Sequence, residues 1–284
     1  MTADGYSRPL EPGVRRDFSD EMSYGDYLRL DLVLSAQQPV SDPPRHDEML
    51  FIIQHQTSEL WLKLMLHELR AARDLLAHDE LSPALKALAR VKHIQNTLVV
   101  QWRVLSTLTP SEYAEFRSFL QSSSGFQSWQ YRAVEFILGN KDEQMLQVFD
   151  HQPQVHRLLT DLLDEPTLYD EFLRFLNRIG HPVPRDILDR DVRRRWHLHP
   201  TLLPIFADIY DHTKSHWREY EACETLVDIE DNFQTWRFQH LKTVERIIGS
   251  RTGTGGSSGV PFLRKALDLT FFPELYAVRA EIGA

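Results

Sequence analysis

From about residue 201 to 248 the chain carries one almost unbroken helical pattern, TLLPIFADIYDHTKSHWREYEACETLVDIEDNFQTWRFQHLKTVERIIG, interrupted only early by Pro204. That is longer than an ordinary globular helix, so it predicts bundle or oligomer geometry. Helical periodicity recurs from about residue 20 onward, and strand alternation is almost absent. The expected fold is all-α, a single domain over residues 21–284 built on long, roughly antiparallel helices. Residues 1–20 are polar and spotted with Pro and Gly, and are expected to form a mobile leader.

Local signals place the elements. SYGDYLRLDLVLSA predicts a short helix with Ser23 as its cap. PPRHDEML starts a long helix expected over 46–77. Ser82 and Pro83 predict the cap and first position of the next long helix. TPSE at 109–112 is a capping box with proline at the first helical position. Gly125 punctuates, Gly139-Asn140 ends the helix that follows, and 140–200 reads as shorter helices broken by His181-Pro182, Pro184 and Pro200. RTGTGGSSG at 251–259 is a glycine-rich loop.

Composition narrows the function classes. A 42% hydrophobic content fills a sizeable core in 284 residues. The net charge of −9, from 32 basic and 41 acidic residues, has the wrong sign for nucleic acid or an anionic membrane surface. No apolar run reaches the roughly 18 residues of a membrane span. The N-terminus lacks the apolar core of a signal peptide, and the single cysteine, Cys223, allows no internal disulfide and reads as a core residue. These readings predict a cytoplasmic globular protein without nucleic-acid or membrane partners.

Motif chemistry is uneven. The glycine-rich loop follows a helix, has Ser258 where a dinucleotide fingerprint needs its third glycine, and has no Gly-Lys-Ser/Thr. It reads as a flap whose Thr252, Thr254, Ser257 and Ser258 close over a polar ligand. His67-Glu68 begins a zinc-protease pattern that fails at Ala71. His212 and His216, four apart on one expected helix face, form a possible metal pair with no evident third ligand; exposure is the plainer reading.

Tyr113 and Arg117 share a face at i, i+4 beyond the capping box, offering an aromatic wall and a fork of donors suited to a carboxylate. QSSSGFQ, which contains Ser124 and Gly125, lets a flat ligand approach the backbone. FIIQHQTSELWLKLMLHEL sets a polar turn inside an apolar helix and puts His55 at its centre. His240 lies in the apolar-aromatic WRFQHLKTV. Either histidine alone reads as a packed core residue; together they also admit a haem held by one and faced by the other.

YGDYLRLD, DEMLFIIQHQTSELWLK, TPSEYAEFR, SSGFQSWQYR, WRFQHLKTVERIIG and GTGGSSGVPFL followed by LTFFPELYAVR, in this order, resemble the tryptophan 2,3-dioxygenases, above all the bacterial members. The resemblance covers about residues 20–280, with little contributed by 140–215. It implies a helical homotetramer binding haem b, ferrous when active, between helices. It also implies insertion of both atoms of O₂ across the indole C2–C3 bond of L-tryptophan, giving N-formylkynurenine, the first step of the kynurenine route.

Carried onto this chain, His240 resembles the iron ligand, and Ser124 and Gly125 fall on the cofactor side. His55 resembles the distal histidine that accepts the indole N–H, Phe51 a wall of the indole pocket, and Arg117, helped by Tyr113, the carboxylate clamp. Thr254 resembles the group meeting the substrate's ammonium and carboxylate. Tyr24, Tyr27 and Leu28 resemble residues that complete a neighbouring subunit's pocket. The competing readings are a haem-dependent indole or tryptophan monooxygenase, a non-enzymatic haem sensor, and a purely structural bundle.

Overall fold

The computed structural model describes residues 10–283, which divide into two compact units, one ending at Pro39 and one beginning at Val40. Residues 1–9, the first part of the expected leader, lie outside the described residues.

The first unit holds two short helices, α1 (Tyr24–Leu28) and α2 (Leu30–Val33). Ser23 caps α1 in a full capping box with Asp26. The single helix expected here is split at Arg29, whose backbone is left-handed (φ 51°) and whose N–H closes onto the carbonyls of Gly25 and Asp26. Neither helix buries a residue: Tyr24 is 76% exposed and Tyr27 74%.

The second unit is built on α3 (His46–Ala77), α4 (Leu81–Leu105) and, later in the chain, a helix from Trp217 to Ile248. In α3 the residues Leu62, Met65, Leu66, Leu69, Ala72 and Leu76 recur every three or four positions and are all buried. Each such side chain taken from water contributes about 1.5–3 kcal/mol. The turn at His78–Glu80, with Asp79 left-handed at φ 63°, sends α4 back antiparallel to α3. Arg90 therefore meets Glu68 at 2.6 Å, and Gln101 meets Ser58 at 3.2 Å. Ser82 is not the cap of α4: the helix already begins at Leu81, so Pro83 sits within the first turn, where no backbone donor is needed. The Ser82 hydroxyl instead accepts a hydrogen bond from Arg218.

The chain continues through α5 (Pro110–Phe116), a 3₁₀ turn (Arg117–Leu120), α6 (Trp129–Leu138), α7 (Pro153–Asp164), α8 (Leu168–Arg178) and α9 (Arg185–Leu188). Thr109 and Glu112 form the expected capping box of α5, and Gly139, at φ 119°, ends α6.

The long pattern over 201–248 is two helices, α10 (Leu203–Asp211) and α11 (Trp217–Ile248). The break does not fall at Pro204, which is tolerated in the first turn of α10, but at His212–His216. His212 and His216 therefore flank a turn and do not share a helix face.

Contacts at residues 82 and 218, 92 and 228, and 102 and 236 show that α11 runs parallel to α4, and so antiparallel to α3. Gln95 of α4 donates to the carbonyl of Ile229 inside this seam. The short helices α12 (Val260–Ala266) and α13 (Pro273–Ala277) close the chain. Two buried carboxylates pin that end: Glu230 accepts the N–H groups of Phe271 and Phe272, and Glu274 accepts from Trp196, Tyr169 and the His199 N–H. Cys223 is free and fully buried. The described residues contain no strand, and no helix long and apolar enough to cross a membrane.

Candidate active site

The polar turn of α3 is satisfied from within and by its neighbours. Thr57 and Ser58 return their hydroxyls to the carbonyls of Ile53 and Gln54, and Gln130 of α6 donates to both the carbonyl and the carboxylate of Glu59. His55 is different. Its Nδ1 lies 2.7 Å from the carbonyl oxygen of Phe51. A carbonyl carries no proton, so Nδ1 is the donor and Nε2 of the neutral ring is left as an acceptor. Burial pushes the His55 pKa below the ordinary imidazole value, opposed by that hydrogen bond and by Glu59. The ring packs on Phe51 at 4.2 Å between centroids.

His240 stands on α11 among aromatic rings. Trp102 of α4 stacks on it at 4.9 Å with a 12° tilt, and Trp236, one turn earlier, lies at 5.4 Å. Desolvation, followed by the field of His55, lowers its pKa to about 4. The imidazole is neutral at physiological pH, and none of the described hydrogen bonds engages its ring nitrogens. A neutral, uncommitted imidazole set in an apolar wall is a donor suited to haem iron. His55 is a second largely neutral imidazole within electrostatic range of it. Both residues are half-buried. On this donor chemistry the residues fit a haem.

Phe51 leads to the next group of residues. Its ring lies 5.8 Å from that of Tyr113 and 5.6 Å from that of Phe116, both buried in α5. Arg117 follows Tyr113 by one turn; burial raises the Tyr113 pKa, and the nearby guanidinium pulls it back. Arg117 closes α5, and its Nη2 donates to the Thr252 carbonyl at 2.6 Å. The same loop is tied down by Thr254, whose hydroxyl donates to the Ser123 carbonyl at 2.5 Å. Gly255 seats against Ser124, where an added Cβ would come within 2.7 Å of the serine Cβ. At Gly259, φ 69° and the Arg251 carbonyl 2.7 Å from a notional Cβ make glycine the residue that fits. Gly125 faces open space. An open cleft is lined by Ala114, Arg117, Ser118, Gln121, Arg251, Gly253 and Thr254.

The structure thus brings Phe51, His55, Tyr113 and Arg117 into one connected run, with Thr254, Ser124 and Gly125 beside the loop that Arg117 holds. Tyr24, Tyr27 and Leu28 lie in the first unit, as an exposed face of α1. Sequence reasoning missed Trp102 and Trp236, the walls of His240; the aromatic surplus hinted at them, but no spacing pairs residue 102 with 240. It also missed the buried support beneath: Arg237 contacts Glu135 at 2.8 Å, with Arg132 and Asn140 on the same carboxylate. Arg237 also donates to the Tyr131 hydroxyl.

The sequence model of one family, described as tryptophan 2,3-dioxygenase, matches residues 11–200 and 185–282. Three curated relatives carry that same name. The protein of Saccharopolyspora erythraea is 66% identical over 98% of this chain and 99% of its own length. That of Kineococcus radiotolerans is 64% identical over 100% and 99%, and that of Serratia proteamaculans 60% identical over 98% and 99%. With the two buried-environment histidines and their surroundings in place and the match running nearly from end to end, this chain belongs to the tryptophan 2,3-dioxygenase family.

Proposed function

We propose that the chain inserts both atoms of O₂ across the indole C2–C3 bond of L-tryptophan, giving N-formylkynurenine. In this reading His240 holds the iron of haem b, ferrous in the active form, and Ser124 and Gly125 border the cofactor. Bound haem supplies the activation of O₂; everything else is orientation and exclusion of water by the protein.

The observation that carries the proposal is the tautomer of His55. With Nδ1–H committed to the Phe51 carbonyl, Nε2 accepts the indole N–H and fixes the ring against Phe51. Arg117 meets the substrate carboxylate, with Tyr113 one turn before it offering its ring and hydroxyl beside the donor fork. Thr254 meets the ammonium and carboxylate end. Arg117 now rests on the Thr252 carbonyl, so substrate binding exchanges a neutral acceptor for a charged one. An amine lacking the carboxylate makes no such exchange and is bound poorly.

We further propose a cytoplasmic homotetramer in which Tyr24, Tyr27 and Leu28 complete the pocket of a neighbouring subunit. Their exposure in the single chain supports this: large apolar side chains on one helical face gain most from burial against a partner. The deciding experiment is the absorption spectrum of the purified protein, followed by L-tryptophan under ¹⁸O₂. Two labelled oxygen atoms in N-formylkynurenine are expected. One labelled atom would make it a monooxygenase, and a haem spectrum without turnover would make it a sensor.

A further inference from the structure

His181, His216 and Glu219 come from separate parts of the fold: the loop after α8, the turn between α10 and α11, and the first turn of α11. One donor atom of each lies within 4.8 Å of the other two. The imidazoles of His181 and His216 are 5.1 Å apart between centroids, and Glu219 Oε1 is 4.0 Å from His181 Nε2. This is not an acidic surface cluster. His181 is buried, and the Glu219 side chain is only 17% exposed. Behind them stands Asp208 of α10, 3.4 Å from His216 Nε2 and 2.9 Å from His212 Nδ1.

Two imidazoles and one carboxylate are the donor set of a zinc site; magnesium and calcium prefer oxygen throughout. With zinc–ligand bonds of about 2.0–2.2 Å, tetrahedral donors stand roughly 3.4 Å apart. The three groups need a contraction of up to about 1.4 Å, within the reach of side-chain rotation. Asp208 occupies the place of the outer carboxylate that commonly orients a ligating histidine. We infer that His181, His216 and Glu219 bind one Zn²⁺ that clips the His181-Pro182 loop to the turn where α11 begins. Along α11, His216 and His240 are separated by roughly 36 Å at about 1.5 Å per residue. The zinc site is therefore remote from His240, and it stands or falls independently of the proposed reaction.

The test uses haem-loaded protein, freed of loose metal by chelator and dialysed against micromolar ZnCl₂. Elemental analysis should find one zinc per chain in addition to haem iron. The melting temperature should rise with ZnCl₂ and not with MgCl₂, while the haem absorption band stays in place. His216→Ala and Glu219→Gln should each weaken zinc binding at least 10-fold and abolish the thermal shift. His197→Ala, at an exposed histidine outside the cluster, should leave both intact. Glu219→Gln keeps size and shape, so it reports on ligation even if a histidine variant folds poorly. No bound zinc in the unmodified protein, or zinc affinity in His216→Ala and Glu219→Gln unchanged from that of the unmodified protein, would overturn the site.

Discussion

The Nδ1 atom of His55 donates to the carbonyl of Phe51 at 2.7 Å, and this one bond decides what the other ring nitrogen can do. In the proposed role Nε2 would accept from indole only while the ring is neutral, and burial keeps it neutral below the ordinary imidazole pKa of 6.5. The Michaelis constant for L-tryptophan should therefore stay level from neutral pH down past 6.5. It should rise only as the pH falls through the depressed pKa. His55→Ala should raise it about 2- to 12-fold at neutral pH, the span of one uncharged hydrogen bond, and should remove the acid inflection. An unchanged inflection in His55→Ala would assign it to another group.

Haem content separates the two histidines. His240→Ala should fold and purify with little haem, or with an altered spectrum and no turnover. His55→Ala should keep its full complement. The reverse pattern would exchange their roles. Because the pKa of His240 is depressed to about 4, protons do not compete with iron until the solution is strongly acidic. Haem binding titrated between pH 5 and 7 should show no loss attributable to this ligand.

Arg117→Leu should raise the Michaelis constant for L-tryptophan by roughly 10- to 150-fold, the equivalent of a charge-assisted hydrogen bond of about 1.5–3 kcal/mol. Haem content should change little. Tryptamine should already be a poor substrate for the unmodified enzyme, and Arg117→Leu should narrow the gap between the two compounds. Equal turnover of both by the unmodified enzyme would dispose of the clamp.

The Arg237–Glu135 pair is a stability element, with side chains only 2% and 3% exposed. Arg237→Leu removes one of the two counter-charges of a buried carboxylate and should destabilise the fold by about 3 kcal/mol in urea unfolding. This is the low end for such pairs, because Arg132 still reaches Glu135. Adding Glu135→Gln should recover part of the loss, as a double-mutant cycle can measure.

A shared pocket predicts complementation. Tyr24→Ala with Tyr27→Ala should raise the Michaelis constant while leaving haem content unchanged. Mixed with Arg117→Leu chains after dissociation and reassembly, such chains should regain part of the lost activity, since some pockets then draw an intact half from each variant. Mixed oligomers, confirmed by mass, that show no recovery would place the whole pocket within one chain.

Much of this was legible in the sequence, and the exceptions have physical causes. α3 begins at His46 and ends at Ala77 as its periodicity predicts, and Thr109-Pro110 with Glu112 fixes the start of α5, because these signals are local. Phe51 and His55 share a face through helical spacing alone. The break at His212–His216 was hidden because apolar residues continue at helical spacing on both sides of it. Ser82 and Pro83 looked like a cap and first position, but any of the first helical positions spares the proline its missing donor. Trp102 beside His240, and His181 beside His216, are products of packing between segments far apart in the chain. No residue spacing encodes them.

With the proposed iron ligand on α11, the last long helix of the chain, chain order also sets when the protein would become able to take up haem. His55 is synthesised about 185 residues before His240, a gap of roughly 10–40 s at ribosomal rates of about 5–20 residues per second. During that interval the α3–α4 hairpin exists with Trp102 still lacking the helix that covers it. A nascent chain stopped short of residue 240 would carry His55 but not the proposed iron ligand. On that assignment haem capture would be an event of the nearly finished chain, and a shortage of haem would be felt by molecules that have already been made.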